Sequence, residues 1–274
     1  MGTDRSDLAV ASDGMTVVAG RTDPGRVRSE NEDAFLTDAG LGLWVIADGM
    51  GGHRDGARAS ALAVATICEF VRASRDDGEV TWPYGFESTQ AFEANQLRNS
   101  IYLAHRNIQA DGHQATDDGH QMGSTVVAAI LRDRQITFAN VGDSRLYRVR
   151  AGQLEQLSVD HSWAAAAVRA GANPAAIRQH PMRHMLTHAL GHEVADVPVR
   201  QEPLEDGDAL LLCTDGLYGA LSEAAILEVL TDERDVDAQA DALITLANAA
   251  GGPDNITVVV GRHGEQPRKK RWWS

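Results

Sequence analysis

The stretch VIADGMGGHRDG, residues 45–56, constrains the fold more than any other part of this sequence. An apolar run ends in an aspartate, and four glycines follow within eight positions. An Asp-Gly pair commonly marks a hairpin turn. A hairpin needs a returning strand, however, and the residues after Gly56 instead place Leu62, Ala65 or Thr66, and Glu69 or Phe70 at helical spacing. The segment therefore predicts a strand, a glycine loop and a helix.

The remaining chain shows strand and helix patterns in blocks. Strands are predicted at 15–23, 34–38, 43–47, 124–131, 135–141, 145–150, 208–215 and 255–262, and helices at about 57–73, 93–108, 222–230 and 237–249. A regular alternation of strand and helix is absent, which disfavours a doubly wound parallel sheet. The order predicts an α+β fold with four α-β-β-α layers, in which two mainly antiparallel sheets pack face to face with helices outside.

Composition excludes several classes of protein. The formal net charge of -14 disfavours a nucleic-acid binder, because a phosphate backbone would be repelled by most of the surface. Cys68 and Cys213 each stand alone in an apolar run, so buried reduced thiols are expected rather than a disulfide or a zinc site. No apolar run reaches eighteen residues and the N-terminus is polar, so we expect a cytoplasmic protein, and a monomer.

Acidic residues recur at the ends of the predicted strands. They are Glu32 and Asp33 before the second strand, Asp48, Asp143 and Asp215 after strands, and Asp254 before the last strand. One Asp-Gly pair at a strand end is usually a turn. With the neighbours Glu32 and Asp33 counted as one, there are five acidic positions of this kind, and three of them have a glycine beside the aspartate, which makes turns a poor explanation for the whole set.

Carboxylates gathered in one place repel one another, so their pKa values rise or cations neutralise them. Oxygen ligands without neighbouring cysteines or paired histidines select hard ions such as Mg²⁺ or Mn²⁺. The glycines after Asp48 fit this hypothesis, because without a Cβ atom the loop can pass close to an ion and Gly49 can turn its carbonyl toward it. The sequence therefore predicts a metal centre.

Arg28 precedes Glu32 by four residues in the segment RSENED. Such an arginine is most often part of a surface ion pair, but near two metals its guanidinium can bind a phosphate through two parallel hydrogen bonds. Metals and an arginine on an acidic background indicate hydrolysis of a phosphoester. In that chemistry two ions hold a bridging hydroxide for in-line attack on phosphorus.

The sequence also resembles a known family. The segments that carry the resemblance are RSENED, VIADGMGG, MGSTVV, NVGDSRLYRVR, SVDHS, HPMRHMLTHALG, LLLCTDGLYGAL and GGPDNITVVVG. In this order, from about residue 15 to 262, they resemble the metal-dependent type 2C serine/threonine protein phosphatases in their bacterial form. The resemblance implies a β-sandwich flanked by helices, a dinuclear Mn²⁺ or Mg²⁺ site at one end, and phosphoserine or phosphothreonine proteins as substrates.

The resemblance also assigns roles to individual residues, in three groups. Asp48 is similar to the carboxylate that bridges both metals, Gly49 to a carbonyl ligand of one of them, and Asp215 and Asp254 to ligands of the other. Glu32 and Asp33 would act directly or through metal-bound waters, and Asp143 resembles a ligand of a third, weaker metal shared with Asp215. Arg28 would hold the substrate phosphate, which makes Arg28, Asp48 and Asp33 the expected catalytic residues.

Met50 departs from the pattern of eukaryotic relatives, in which a histidine follows the Asp-Gly pair as the probable general acid. Methionine cannot donate a proton, although bacterial members commonly have it. A metal-bound water, His53 or His161 would have to replace it if acid catalysis is used. A surface or capping role is the favoured interpretation of both histidines.

The resemblance divides the chain into a flexible N-terminus at 1–14, a catalytic domain at 15–262 with a flap at about 161–190, and a tail at 263–274. The aromatic insertion within 74–95 is either a recognition element or simply packed on a helix. The tail contains the only two lysines and two of the five tryptophans. A frayed terminus is favoured there over a membrane or partner contact.

The implied function is a phosphatase that opposes a bacterial serine/threonine kinase, with that kinase and its substrates as partners. The main alternative is a non-catalytic phosphoprotein-binding module on the same fold, but a binder has no need to retain every metal ligand. A hydrolase of small phosphoesters or nucleotides is a third possibility. The sequence has no GxxxxGK[ST] nucleotide-binding pattern to support it.

Overall fold

The computed structural model describes residues 4–5, 9–10, 16–52, 54–76, 80–115, 122–177, 179–192, 194 and 196–264. Within these ranges the strands are β1 (Asp4–Arg5), β2 (Ala9–Val10), β3 (Thr16–Asp23), β4 (Asp33–Asp38), β5 (Leu43–Met50), β6 (Gly123–Ser124), β7 (Val126–Arg132), β8 (Gln135–Val141), β9 (Arg145–Arg150), β10 (Gln153–Gln156), β11 (Val199–Pro203), β12 (Ala209–Cys213) and β13 (Ile256–His263). The helices are α1 (Arg54–Asp76), α2 (Phe92–Ala115), α3 (Trp163–Arg169), α4 (Pro174–Ile177), α5 (Asp215–Tyr218), α6 (Glu223–Thr231) and α7 (Val236–Ala249).

The described strands form two antiparallel sheets. One has the order β1-β3-β13-β12-β9-β10, with β2 also paired to β3. The other has the order β11-β8-β7-β5-β4, with β6 paired to the end of β5. The two sheets face each other, and the helices cover their outer faces.

Side-chain alternation along β5 separates the layers. Trp44 and Ile46 are fully buried between the two sheets, whereas Leu43 and Val45 pack against the apolar faces of α1 and α2. Trp44 lies close against β13, since a Cβ atom on Gly261 would come within 2.1 Å of its ring. Both faces of the strand are therefore buried, which is why its sequence is a continuous apolar run.

The same alternation along β12 builds the other half of the molecule. Leu210 and Leu212 face the core between the sheets, while Leu211 and Cys213 contact the layer formed by α6 and α7. Three apolar cores thus hold four layers together in the order α-β-β-α. The predicted α+β sandwich is confirmed, and both cysteines are buried free thiols, as expected.

Several local expectations need correction. The helices α1 and α2 are longer than predicted, and the sequence analysis missed β10, β11 and the single turn α5. These elements are short, and β10 and β11 lie at sheet edges with exposed polar residues, so apolar periodicity does not reveal them.

The predicted boundaries also shift at both ends of the domain. Part of the segment expected to be flexible, 1–14, pairs with the sheet through β1 and β2, because β3 offers them its backbone groups. At the other end β13 continues to His263, whose buried ring is 2.9 Å from the Thr16 hydroxyl. The prediction for the rest of the tail falls on residues outside the described ranges.

The aromatic insertion packs on the helices. The ring of Trp82 lies 5.5 Å from that of Phe70 in α1 and 5.6 Å from that of Phe92 in α2. This geometry favours the packing role over a recognition element. No helix in the part of the chain described here has the length and hydropathy needed to cross a membrane.

Candidate metal centre

The predicted acidic residues meet at one end of the sandwich. Asp33 at the start of β4 pairs in register with Asp48 near the end of β5. Asp33 also joins the two sheets, because one of its carboxylate oxygens accepts hydrogen bonds from Thr214 after β12, at 2.9 Å, and from Thr257 in β13, at 2.6 Å. Asp215 follows Thr214 directly, so it lies at the same end.

Asp33 provides a test of whether the site fits a cation. Its second carboxylate oxygen is buried and has no hydrogen-bond partner among the described residues. Burial raises the pKa of Asp33 to about 7, the two threonine hydroxyls oppose this effect, and the charges of Asp254 and Glu32 add to it. A buried oxygen without a donor in a group of like charges is an arrangement that a metal ion, or a water bound to one, satisfies.

The pKa values of Asp48, Asp215 and Asp143 are raised as well. Burial raises the pKa of Asp48 well above its ordinary value, and the charges of Asp33, Asp215 and Asp143 raise it further. Burial, Asp143 and Asp254 raise the pKa of Asp215 to about 7. Burial together with the Asp160 charge raises the pKa of Asp143 to about 6. This end of the sandwich is therefore short of positive charge.

The backbone around Asp48 is fixed on both sides. Its amide donates to the Thr125 hydroxyl at 3.1 Å, and its carbonyl accepts from the Thr125 amide at 2.8 Å and from the Ser124 hydroxyl at 3.0 Å. Ser124 lies in β6, and Thr125 lies between β6 and β7. They hold the Asp48 backbone, and with it the position from which the carboxylate projects.

Gly49 must lack a side chain because of close packing. A Cβ atom there would lie 2.0 Å from the Gly56 carbonyl oxygen and 2.7 Å from the Glu32 carbonyl oxygen. The Gly49 amide donates to that Glu32 carbonyl at 3.1 Å. A Cβ atom on Gly56 would in turn lie 1.9 Å from a Glu32 carboxylate oxygen, so this carboxylate packs against the start of α1. The glycines thus bring the loop, Glu32 and the helix together.

Arg28 lies at the rim of the site. Its guanidinium donates to Asp254 at 2.8 Å, and its side chain is 53% exposed. Arg28, Glu32, Asp48 and Asp254 line a cavity of about 250 Å³ around the Gly49 loop. The arginine therefore stands where its free N–H groups face the solvent beside the carboxylates.

A second cavity, of about 800 Å³, is also lined by Asp48. Met50, Asp143 and Asp215 line it as well, together with flap and neighbouring residues that include His184, Leu186, Thr187, His188, Gly191 and His192. The predicted flap and the carboxylates therefore border the same cavity. The structure thus brings together all seven predicted metal-site residues and Arg28.

The described histidine, cysteine, aspartate and glutamate side chains do not form a tight cluster of three around one point. Like charges repel one another, which keeps carboxylates apart. Sites for Mg²⁺ and related hard ions also keep several waters and use few direct protein ligands. The spacing is therefore compatible with a centre that water completes.

Asn255 is a structural residue of the site that the sequence analysis did not single out. Its amide oxygen accepts from the Glu32 backbone N–H at 2.8 Å, and its amide nitrogen donates to the carbonyls of Pro24 and Glu30 at 3.0 and 2.9 Å. It therefore holds the loop that carries Arg28 and Glu32. Its position directly after Asp254 was the available signal, as was the position of Thr214 before Asp215.

The structure describes one of the two histidines proposed to replace the missing acid at Met50. His53 lies outside the described residues. His161 is tied to the Gly142 loop, because its amide donates to the Gly142 carbonyl at 2.9 Å and its Nδ1 atom accepts from the Gly142 amide at 3.3 Å. Burial and the nearby His188 lower the pKa of His161 to about 4. The geometry agrees with the favoured structural role for this residue.

Comparison with known proteins places this site in a family. A family model described as protein phosphatase 2C matches residues 25–253. The chain belongs to the protein phosphatase 2C family. A curated member, the serine/threonine phosphatase stp of Listeria monocytogenes, is 36% identical over 249 residues, which cover 88% of this chain and 93% of that protein.

Solved serine/threonine phosphatase structures have the same fold. The Mycobacterium tuberculosis serine/threonine phosphatase PstP/Ppp superposes with a TM-score of 0.78 at 33% identity, covering 92% of this chain and 100% of that one. The catalytic domain of the serine/threonine protein phosphatase PstP in complex with two manganese ions gives a TM-score of 0.75 at 32% identity, covering 92% and 99%. The predicted family is therefore confirmed.

Proposed function

We propose that this protein phosphatase 2C member is an enzyme that hydrolyses phosphoserine and phosphothreonine in proteins with Mn²⁺ or Mg²⁺ as cofactor. The observation that carries the proposal is the buried oxygen of Asp33, unpartnered among the described residues, at the centre of carboxylates with raised pKa values. The two manganese ions in the PstP relative support it from outside the chain.

The ligand assignment is the one that the family resemblance implies. Asp48, the Gly49 carbonyl, Asp215 and Asp254 would hold two ions. Glu32 and Asp33 complete the site directly or through water, and Asp143 with Asp215 offers a place for a third, weaker ion. When bound, the ions supply a nucleophilic water at neutral pH and neutralise charge on the phosphoryl oxygens.

The chain's own residues bind and orient the substrate. Arg28 donates to Asp254 through one N–H group and keeps the others free toward the cavity, where a guanidinium can bind two phosphoryl oxygens. The hydrogen bonds to the Asp48 backbone and the hydrogen bonds of Asn255 hold Arg28 and the carboxylates in fixed relative positions. Rigid placement of this kind favours the in-line geometry that phosphoryl transfer needs.

The wider role follows from the substrate class. Phosphorylated proteins require a serine/threonine kinase that forms them, and we propose such a kinase and its substrates as the partners of this phosphatase. We further propose that the protein acts as a monomer in the cytoplasm, without nucleic acid. A binding module without catalysis remains the alternative that the following experiment decides.

The experiment measures phosphate release from a phosphothreonine peptide with Mn²⁺, Mg²⁺ or EDTA, by the wild type and by Asp48→Asn. Release that needs metal and disappears in the variant is expected. A folded wild-type protein that binds Mn²⁺ and releases no phosphate would overturn the proposal in favour of the binding module. Hydrolysis of nucleotides in preference to the peptide would instead point to a small-molecule phosphoesterase.

A further inference from the structure

The flap differs in charge from the rest of the protein. Between residues 161 and 192 the sequence contains three arginines and five histidines and no aspartate or glutamate. The whole chain has 39 acidic residues against 25 lysines and arginines. This segment is therefore a basic segment in an acidic protein, and its residues line the catalytic cavity together with the carboxylates.

A further cavity, of about 870 Å³, lies under this basic segment. The helix α3 lines it through Ala164, Ala165 and Val168, and Ile177 of α4 adds an apolar contact. Asp143 and His184 line both this cavity and the catalytic cavity, so the two adjoin. A chain that places one side chain at the metal centre can therefore extend a neighbouring side chain under the flap.

The cavity is lined by the carboxylates Asp143 and Asp160 and by three arginines, which divide into two kinds. Arg145 is already engaged, because it binds Asp160 through two of its nitrogens, at 2.7 to 3.1 Å, and donates to the Tyr147 hydroxyl at 2.7 Å. Its guanidinium also lies 3.6 Å from the centre of the Tyr218 ring. Asp160 is therefore paired with Arg145, and both side chains line the cavity in fixed positions.

Arg169 and Arg183 belong to the second kind. Both line the cavity, both are exposed, and neither has a carboxylate within salt-bridge distance among the residues that the structure describes. Arg183 makes one long bond, at 3.5 Å, to the His180 carbonyl. Burial and the Arg183 charge lower the pKa of His184, so the arginines are the cations of this cavity at neutral pH.

We propose that Arg169 and Arg183 form a subsite for a second anionic side chain of the phosphoprotein, a few residues from the one that is hydrolysed. This proposal rests on the proposed phosphatase function and names its substrate class, which is segments with a second phosphorylated residue beside the reacting phosphothreonine. A guanidinium pair favours phosphate over carboxylate because phosphate carries more charge and more acceptor oxygens. The apolar wall of α3 accommodates the intervening side chains.

The test compares kcat/KM for a set of peptides that share one reacting phosphothreonine. A second position, placed one to four residues away in separate peptides, carries phosphothreonine, aspartate or alanine. The wild type should prefer the doubly phosphorylated peptide at one or more spacings by about five- to tenfold over the alanine peptide, mainly through KM. The aspartate peptide should fall between them, which separates phosphate from carboxylate recognition.

Variants identify the residues responsible. Arg169→Ala combined with Arg183→Ala should reduce the preference to about one and leave kcat/KM for the alanine peptide unchanged, whereas Arg183→Lys should retain part of it. Arg183→Glu should favour a peptide with lysine at the second position. The control is Arg234→Ala, which removes an exposed arginine between α6 and α7 that is not among the residues lining the two cavities, and it should keep the full preference.

The outcomes separate the two proposals. Absence of hydrolysis of the alanine peptide would contradict the phosphatase function itself. Normal hydrolysis of that peptide without any preference for a second anion at any spacing would overturn the subsite. A preference that survives loss of both arginines would likewise overturn it, because the second charge would then be recognised elsewhere.

Discussion

The two ends of strand β12 show how this protein treats buried carboxylates. Asp208 lies just before the strand and is 1% exposed, and Arg150 binds both of its oxygens, at 2.8 and 2.6 Å. Asp215 lies just after the strand and has no arginine within salt-bridge distance among the described residues. Burial opposes the charge at both ends, but Arg150 holds the pKa of Asp208 below its ordinary value, whereas the pKa of Asp215 is raised to about 7.

The difference shows that the lack of an arginine partner for Asp215 is not a general property of buried carboxylates in this fold. The same strand carries an arginine-paired aspartate one strand length away. Buried charges in proteins are normally paired or bound to metals. The end where Asp33, Asp48 and Asp215 have no arginine within salt-bridge distance among the described residues is therefore the end where cations from solution belong, and the following predictions test this contrast.

The largest expected effect is on catalysis. Asp215→Asn should lower kcat/KM on a phosphothreonine peptide by at least about 100-fold, because it removes a proposed metal ligand. Asp208→Asn, the matched change at the other end of β12, should keep activity per folded molecule within a few-fold of the wild type. Equal losses in both variants would contradict the functional division between the two ends.

The next effect is on stability. Arg150→Ala leaves Asp208 buried without its guanidinium partner and should lower the free energy of unfolding by about 2 kcal/mol, discounted for the partial exposure of Arg150. Urea unfolding at neutral pH measures this value. Arg234→Ala, which removes a surface arginine, provides the reference and should change stability by less than about 0.5 kcal/mol.

The metal-free protein should lose stability as the pH rises. Between pH of about 4 and about 7 the unfolded chain has released the protons that Asp33 and Asp215 retain when folded, so folding becomes less favourable through this window. We expect Tm in EDTA to be about 5 °C lower at pH 8 than at pH 5. Mn²⁺ should restore it.

His161 has the opposite effect on stability. Because burial lowers its pKa to about 4, it makes folding more favourable as the pH rises from about 4 to about 6.5. A comparison with Asp33→Asn isolates the carboxylates, because this variant should lose part of the pH dependence and be more stable than the wild type in EDTA at pH 8. An unchanged slope in Asp33→Asn would show that this buried carboxylate does not produce the effect.

The smallest expected effect concerns the arginine of the catalytic end. Arg28 is 53% exposed, so it contributes little to folding. Arg28→Ala should lower kcat/KM by about tenfold with Tm nearly unchanged, because one charge-assisted contact with the phosphate is lost. A variant that instead loses stability and retains activity would place Arg28 with Arg150, as a structural residue.

The sequence predicted the layers well where apolar patterns were strong. Continuous runs such as LWVIA and ALLLC predict strands that are buried on both faces, and the alternation of Trp44 and Val45 between two cores shows why the runs are unbroken. The edge strands β10 and β11 were missed because polar residues at a sheet edge give no such pattern. The order of strands in the sheets likewise depends on contacts between distant segments.

The site was predicted in a similar way. The acidic residues and the glycines of the Gly49 loop were visible as residue types at strand ends, but their roles came from family resemblance. The residues that position them through hydrogen bonds were not visible. Thr214, Thr257 and Asn255 act through hydrogen bonds to residues about 180 to 225 positions away, and single residues of these types in a sequence carry no sign of such partners.

What this sequence determined by itself is the chemistry available: carboxylates at strand ends, a glycine loop, one nearby arginine, and a flap without acidic residues. What only the tertiary structure decided is which charges are compensated. Asp208 and Asp215 flank the same apolar run, yet Asp208 meets Arg150 at the end of β9, whereas Asp215 meets the charge of Asp143, which precedes β9. Electrostatic energy depends on distance through space, so neighbouring strands in a sheet decide it rather than neighbours along the chain.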